Sequence, residues 1–432
     1  MKVYKFGGAS VKDAESVRNV AHIIEEYNDG ELWVVVSAMG KTTNALESVL
    51  EAYRHQFENR EQSVERIRTF HEDIMRDLFP FGENEVWNEV EDLFIQLKES
   101  LEQAPDTGHQ AYAEVISIGE LLSTHIVSAY LNSVGILNEW ADARELICTD
   151  SRPEEAKVDL KKSQQRIQQH RNELITGGAL HEEDELLVMT QGFIGSNGEN
   201  VTTLGREGSD FTAGILAWSL DAQEVSIWKD VPGMLNADPK YFPKAQTIEK
   251  LSYKEAIELS YYGASVIHPK TLKPLQNKNI PLYVRSFNDP DKGGTLIHED
   301  DSKDQDHTSY IFKQNQVLVS IIPTDFSFIM EDNLSEIFKA MSEQGLRANL
   351  VQNSALSLSI CLDDKGQRVD DFRDSLSGSF RILYNQGLSL VTVRHYDEKT
   401  IQRLLEGREV LVEQRSRQTA RYVVRGGFTL ST

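Results

Sequence analysis

Apolar residues along the chain come in short unbroken runs separated by amphipathic stretches. The runs at 2–6, Leu32–Val36, Gly135–Glu139, Glu185–Met189, Val225–Trp228 and Ile280–Ser286 predict strands. Continuous apolar strands are typical of parallel sheets covered on both faces. Between them the period changes to that of a helix. Val17, Val20, Ile24 and Tyr27 form a stripe that starts near Ser10 and Asp13, a capping-box-like pair, and stops at Asp29–Gly30. Further helices are predicted over 154–175, 213–220 and 251–264, the last with Ser252 and Glu255 as a capping box. Residues 45–103 read as polar helix, broken into two at 79–82, an excursion with no chemistry of its own. Strands alternating with helices to residue 298 predict an α/β domain built on a doubly wound, mainly parallel sheet.

The pattern changes after residue 298. The stretch 299–315 opens on polar, aperiodic sequence and is expected to be a linker. From 316 to 432 the elements run strand (316–322), helix (334–341), strands (347–352 and 356–362), helix (369–376) and strand (380–384). That order, βαββαβ, is a ferredoxin-like α+β plait. Elements at 388–394, 397–405, 409–414 and 419–424 supply most of a second, shorter copy.

Candidate chemistry gathers where predicted strands end. Lys5 closes the first strand, and Gly7 and Gly8 follow it; glycines let a backbone approach a phosphate closely. An ordinary tight turn accounts for the same residues. Ser37 to Asn44 follow the second strand, and Ser37 and Thr43 could hydrogen-bond a substrate there. Gly40-Lys41-Thr42 imitates the tail of a P-loop, but Val35 stands where that loop needs its first glycine, which excludes the motif. Residues 202–213, Thr-Thr-Leu-Gly-Arg-Glu-Gly-Ser-Asp-Phe-Thr-Ala, place Arg206, Ser209 and Asp210 in a turn that opens a helix. Free N–H groups at such an end, with an arginine fork beside them, hold anions. An N-capped helix after a loop is the less favoured alternative there. Ser117-Ile-Gly-Glu120 sits early in another predicted helix, where a glutamate is ordinarily solvated or capping.

Charge and cysteine content narrow the function. The 432 residues carry a formal net charge of −23, which argues against nucleic acid as the main partner. Cys148 and Cys361 lie in no metal-ligand or disulfide spacing, and no metal site of protein residues is predicted. No signal peptide and no membrane span are read, and a reducing cytoplasm is expected.

Seven fragments, taken together, resemble the aspartate kinases of the amino-acid kinase family. They are KFGGAS (5–10), VVSAMGKTTNAL (35–46), SIGE (117–120), TTLGREGSD (202–210), IWKDVPGMLNADPK (227–240), ELSYYGASVIHPKT (258–271) and IPLYVRSF (280–287). The resemblance covers essentially the whole chain. It implies a catalytic domain over 1–298 and paired ACT regulatory domains, tandem or interleaved, over 316–432. It implies transfer of phosphate from ATP, with Mg²⁺, to the side-chain carboxylate of L-aspartate. That is the first step toward lysine, threonine and methionine; the alternatives are a silent regulatory paralogue or a sister carboxylate kinase. A homodimer or higher homo-oligomer through the ACT domains is implied as well. By the same resemblance Lys5 and Asp210 are catalytic, and Ser37, Thr43, Glu120, Arg206 and Ser209 hold aspartate. Lys5, Gly7, Gly8, Ser10, Lys229, Asp230, Leu235, Asp238, Lys240, Ser265 and Val266 take nucleotide positions. Three residues depart from the family pattern: Glu207 stands for glycine, Lys229 for threonine and Ser265 for lysine. In the ACT region Asn353-Ser354-Ala355 replaces Thr-Ser-Glu, so feedback by lysine or threonine alone is expected to be weak.

Overall fold

The computed structural model describes residues 1–80, 85–177, 186–264, 267–325 and 327–427. Two compact units divide the chain. The first holds residues 1–234, 247–257 and 266–301; the second holds 235–246, 258–265 and 302–432.

The sheets of the first unit use β1 (Lys2–Phe6), β2 (Leu32–Val36), β3 (Glu139–Ala141), β4 (Leu187–Gln191), the hairpin β5 (Ile194–Ser196) and β6 (Val201–Thr203), β7 (Val225–Lys229), β8 (Lys250–Ser252), β9 (Leu282–Ser286) and β10 (Gly294–His298). Eight of them form one sheet in the order β3-β4-β2-β1-β7-β9-β10-β8. Every pair is parallel except β9 with β10. All five residues of β2 are buried, as its unbroken apolar run predicts, and β4 is buried throughout too, including the polar Thr190 and Gln191 beyond the predicted run.

The helices of this unit are α1 (Ala14–Tyr27), α2 (Thr42–Arg54), α3 (Arg60–Leu78), α4 (Val86–Thr107), α5 (His109–Ser133), the single turn α6 (Ala143–Leu146), α7 (Leu160–Thr176), α8 (Gly208–Leu220), α9 (Tyr253–Tyr262), whose end passes into the second unit, and α10 (Pro269–Lys278). In one layer α5 packs on α2, α3 and α4 and on β2, β3 and β4; in another α8 packs on α7 and α10 and on β1, β2 and β7. Phe6 and Trp228, both fully buried, stack at 6.2 Å in the core. Removing a side chain of that size from water stabilises the fold by about 2–3 kcal/mol.

Several boundaries differ from the sequence reading. Residues 8–11 form a 3₁₀ turn, so α1 starts at Ala14, and Asp13 alone caps it by accepting from the Ser16 N–H at 2.8 Å. The polar stretch after β2 holds three helices, not two, because a turn at 55–59 ends α2. Its expected break at 79–82 falls partly outside the described residues. The expected strand at 135–139 lies later, at Glu139–Ala141, and the helix of 154–175 starts only at Leu160, where Asp159 accepts from the Lys162 N–H at 3.1 Å. Ser252 does cap α9, accepting from the Glu255 N–H at 3.0 Å.

The second unit is one antiparallel sheet, β12-β13-β11-β14-β16-β15. Its elements are β11 (Ser309–Pro323), α11 (Glu331–Glu343), β12 (Ala348–Asn353), β13 (Leu358–Asp363), α12 (Gln367–Leu376), β14 (Phe380–Arg394), α13 (Glu398–Leu405), β15 (Val410–Arg415) and β16 (Thr419–Arg425). Thus β11 begins inside the stretch read as linker, since Tyr310, Ile311 and Phe312 are good strand formers that pair with Val393, Thr392 and Val391. Both long strands are jointed where the register shifts: Asn315 has φ 54° and Gly387 φ 66°. Beyond the joint, 316–323 and 380–385 complete a βαββαβ plait with β12, β13, α11 and α12 around Val319, Ile337 and Phe372. Before it, 309–313 pair with 388–394 beside β16 and β15, over a core of Val391, Ile401 and Tyr422. The second plait therefore has four strands and one helix, and it takes its fourth strand from the start of β11, ahead of the first plait in sequence.

Candidate active site

The carboxyl ends of β1, β2, β4 and β7 lie side by side because those strands are parallel neighbours. Their loops are tied together: the Ser37 N–H donates to the Phe6 carbonyl at 3.1 Å, the Gly40 N–H to Gly8 at 2.9 Å, and the Gly192 N–H to Val36 at 3.1 Å. A Cβ on Gly8 would stand 2.7 Å from the Ala38 carbonyl oxygen, so the β1 and β2 loops approach closely only because residue 8 is glycine. Beside these ends opens a cavity of about 620 Å³. It is lined by Lys5, Ser37, Thr43, Glu120, Arg206, Ser209, Asp210 and Lys229, among others. Every residue read as catalytic or aspartate-holding thus lines one space.

At its cationic end Asp210 sits in the first turn of α8, buried, with Lys5 Nζ 2.7 Å from Oδ1 and Lys229 Nζ 3.2 Å from Oδ2. Burial pushes the Asp210 carboxyl up, but the charges of Lys5 and then Lys229 outweigh it and hold the group below the ordinary carboxylate value. Elsewhere in the cavity Glu120 is a different kind of carboxyl. It lies mid-way along the 25-residue α5, not early in a helix, because α5 already begins at His109 behind Gly108. It is 3 % exposed, and its Oε2 has no hydrogen-bond partner. Burial pushes its pKa up to about 8, against the pull of the Ala38 backbone N–H. It is neither solvated nor capping.

Arg206 is exposed on the turn before α8. Its neighbour Glu207 has φ 55° and ψ 30°, the left-handed region, and a solvent-shielded Oε2 without a partner. A left-handed side-chain residue costs roughly 1–2 kcal/mol, so the structure accounts for glycine as the favoured residue there. Glu207→Gly is expected to raise unfolding free energy by about 0.5–1 kcal/mol, the strain relieved less the extra freedom of glycine in the unfolded chain. A lower denaturation midpoint would reject this.

Not every predicted residue reaches the cavity wall. Gly7 and Gly8 follow β1 without lining it, and a Cβ on Gly7 would stand 3.3 Å from Lys5 Nζ. Ser10 is buried, with its Oγ 3.5 Å from the Trp228 carbonyl, and Asp230 is exposed at the end of β7. Leu235, Asp238 and Lys240 belong to the second unit, in a turn where Asp238 accepts from the Lys240 N–H at 2.9 Å. Ser265 and Val266 lie outside the described residues.

The wall also holds residues the sequence reading missed. Glu47 lies one helical turn after Thr43 on α2, a spacing that could have been read, and it accepts from the Tyr112 hydroxyl at 2.9 Å. Glu154 and Glu155, read from the sequence as the start of the 154–175 helix, come instead from the irregular segment before α7. Among the described residues no group of three or more His, Cys, Asp or Glu could hold a metal ion.

Residues 1–286 match the amino acid kinase family. The chain is 31 % identical over 401 residues to the lysine-sensitive aspartokinase 3 of Escherichia coli K12, covering 90 % of this chain and 86 % of that one. It is 32 % identical over 373 residues to the chloroplastic aspartokinase 2 of Arabidopsis thaliana, covering 84 % of this chain and 66 % of that one. Its fold matches the crystal structure of E. coli aspartokinase III in complex with aspartate and ADP, with a TM-score of 0.81 at 28 % identity, over 99 % of this chain and 96 % of that chain.

Proposed function

Because the chain belongs to the aspartokinases of the amino acid kinase family, we propose that it transfers the γ-phosphoryl group of ATP to the side-chain carboxylate of L-aspartate, giving 4-phospho-L-aspartate. The observation that carries this reading is one cavity that holds both the Lys5–Asp210–Lys229 cluster and an uncompensated, buried Glu120. The first suits phosphoryl oxygens and the second suits an ammonium group.

The chemistry asks little more of the protein. A substrate carboxylate with an intrinsic pKa near ~4 is already ionised at neutral pH, so no general base is required. One of its oxygens bonds to the γ-phosphorus as the bond from that phosphorus to the β,γ-bridging oxygen breaks, and the electron pair leaves with ADP. Catalysis then rests on alignment and charge neutralisation. Lys5 meets the transferring group, and Asp210 fixes Lys5. Glu120 accepts the substrate's ammonium, and Arg206 pairs with its α-carboxylate through a two-pronged contact. Ser37, Thr43 and Ser209 supply hydrogen bonds. Gly7 and Gly8 serve by leaving room for Lys5 Nζ and for the close approach of the β1 and β2 loops.

Mg²⁺ fits this site as an ion that arrives on the nucleotide. No protein cage is assembled among the described residues, and both oxygens of Asp210 already face Lys5 and Lys229, so phosphate oxygens and water would form most of its shell. When bound it neutralises phosphate charge. Exposed Phe328, Met330 and Leu356 in the second unit support assembly into a homo-oligomer through that unit, to be checked by the mass of the full chain in solution.

The test is trapping of the acyl phosphate as a hydroxamate with ATP, Mg²⁺ and either aspartate or glutamate. Product with aspartate is expected; product with glutamate alone, or none, overturns the reading. Arg206→Ala is expected to raise the KM for aspartate by roughly 10- to 100-fold. An unchanged KM would remove Arg206 from the site.

A further inference from the structure

The Lys5–Asp210–Lys229 cluster has a property that its individual pairs do not. β1 and β7 are parallel neighbours in which Lys5 stands opposite Ile227. Side chains on a strand alternate, so Lys229, two residues beyond Ile227, points to the same face of the sheet as Lys5. α8 packs on that pair of strands and brings Asp210 between the two lysines, one carboxylate oxygen toward each. Two cations share one anion, and the cluster keeps a net charge of one positive unit. Lys5 is the more enclosed lysine, with 9 % of its side chain exposed; Lys229 has 21 % and also lines the cavity. Without Lys229 the Lys5–Asp210 pair would be electrically neutral, and an arriving polyphosphate would meet no surplus charge there.

Resting on the nucleotide reading above, we propose that Lys229 is a second phosphate-binding lysine that selects a terminal γ-phosphate, with Asp210 as the spacer that stores its charge beside Lys5. As the bond to the β,γ-bridging oxygen breaks, negative charge grows on the leaving ADP oxygen and stays on the equatorial oxygens of the moving group. A flexible ammonium head can follow that charge from the end of β7. The role predicts selectivity as well as rate. A triphosphate carries more charge to the cluster than a diphosphate does, so Lys229 contributes more to holding ATP than ADP.

Lys229→Met keeps the length of the side chain and removes its charge; Lys229→Arg keeps the charge. In the full-length protein, binding of ADP and of a non-hydrolysable ATP analogue is measured without acceptor, and turnover is measured with aspartate. Lys229→Met is expected to weaken the triphosphate analogue roughly 10-fold more than ADP and to cut kcat by roughly 10- to 1000-fold with little change in the KM for aspartate. Lys229→Arg is expected to restore much of both. Equal weakening of ADP and the analogue, turnover within about twofold of the parent, or no rescue by arginine would each overturn the proposal. The binding arm uses no acceptor, so its failure is distinct from a failure of the parent to phosphorylate aspartate.

Discussion

Glu120→Gln is expected to give a protein more stable than the parent at pH 8 and nearly unable to use aspartate. Glu120 in the folded chain titrates at about 8, against an ordinary 4.5, because it is buried without a cationic partner. A raised carboxyl pKa means that the folded state holds the proton more tightly than the unfolded state. The stability contributed by the protonated group is fully present below pH 4.5 and is lost as pH rises toward 8, at about 1.4 kcal/mol per pH unit. Over that window the ionisation of Glu120 costs on the order of 4–5 kcal/mol. Glutamine keeps the shape and cannot ionise. The variant should gain several kcal/mol over the parent at pH 8 and little at pH 5. Aspartate should stabilise the parent at pH 8, because an ammonium supplies the missing charge, and should not stabilise the variant. The loss in kcat/KM for aspartate is expected to be at least about 100-fold. Denaturant unfolding at the two pH values, with and without aspartate, reads all of this. A variant no more stable than the parent at pH 8 would mean that Glu120 is charge-compensated in the folded protein.

Gly192→Ala is expected to disable the enzyme through geometry alone. Gly192 follows β4 directly and faces the start of α8. A Cβ there would lie 2.3 Å from Ser209 Cβ, 2.5 Å from its Oγ and 2.6 Å from its Cα. Carbon atoms sit comfortably at about 3.5–4.0 Å, so α8 or the end of β4 must retreat by about 1 Å or more. Ser209 and Asp210 ride on that first turn, and misplacing a site by 1 Å costs roughly 100-fold in rate. The overpacking itself costs about 1–3 kcal/mol. Gly30→Ala, where a Cβ would meet nothing within 4 Å, is the control for a glycine change as such. Loss of turnover that exceeds the loss of folded protein, with wild-type behaviour for Gly30→Ala, is the expected pair of results. A fully active Gly192→Ala would show that the turn adapts without moving Asp210.

The centre of the sheet was legible because β1, β2, β4 and β7 are buried almost throughout and so carry apolar runs, whereas β8 and β10, toward one edge, have no such run and are not predicted. The site loops were legible because chemistry concentrated polar residues where those runs stop. Less legible was whatever depends on where a helix begins. Glu120 reads as a surface residue if its helix starts nearby and as a core residue once α5 starts at His109, and no local residue marks that difference. Glu154 and Glu155 read as part of the helix of 154–175 but sit in the irregular segment ahead of it, so no helical face could aim them at the cavity. The close approach at Gly192 is a long-range fact: one glycine in a glycine-containing stretch meets a helix that lies later in the chain.

The jointed strands of the second unit restrict how that region can unfold and how it can be recombined. Its outer plait opens with 309–313 and closes with 388–425, and the inner plait lies wholly between them in sequence. A contiguous piece of coding sequence can carry the inner plait away; none can carry the outer plait without it. Each joint is also a shared covalent edge, so melting one plait frays a strand of the other. A single cooperative calorimetric transition for residues 302–432 is the natural outcome, and a chain cut at Gly387 would lose one body, not half of a pair.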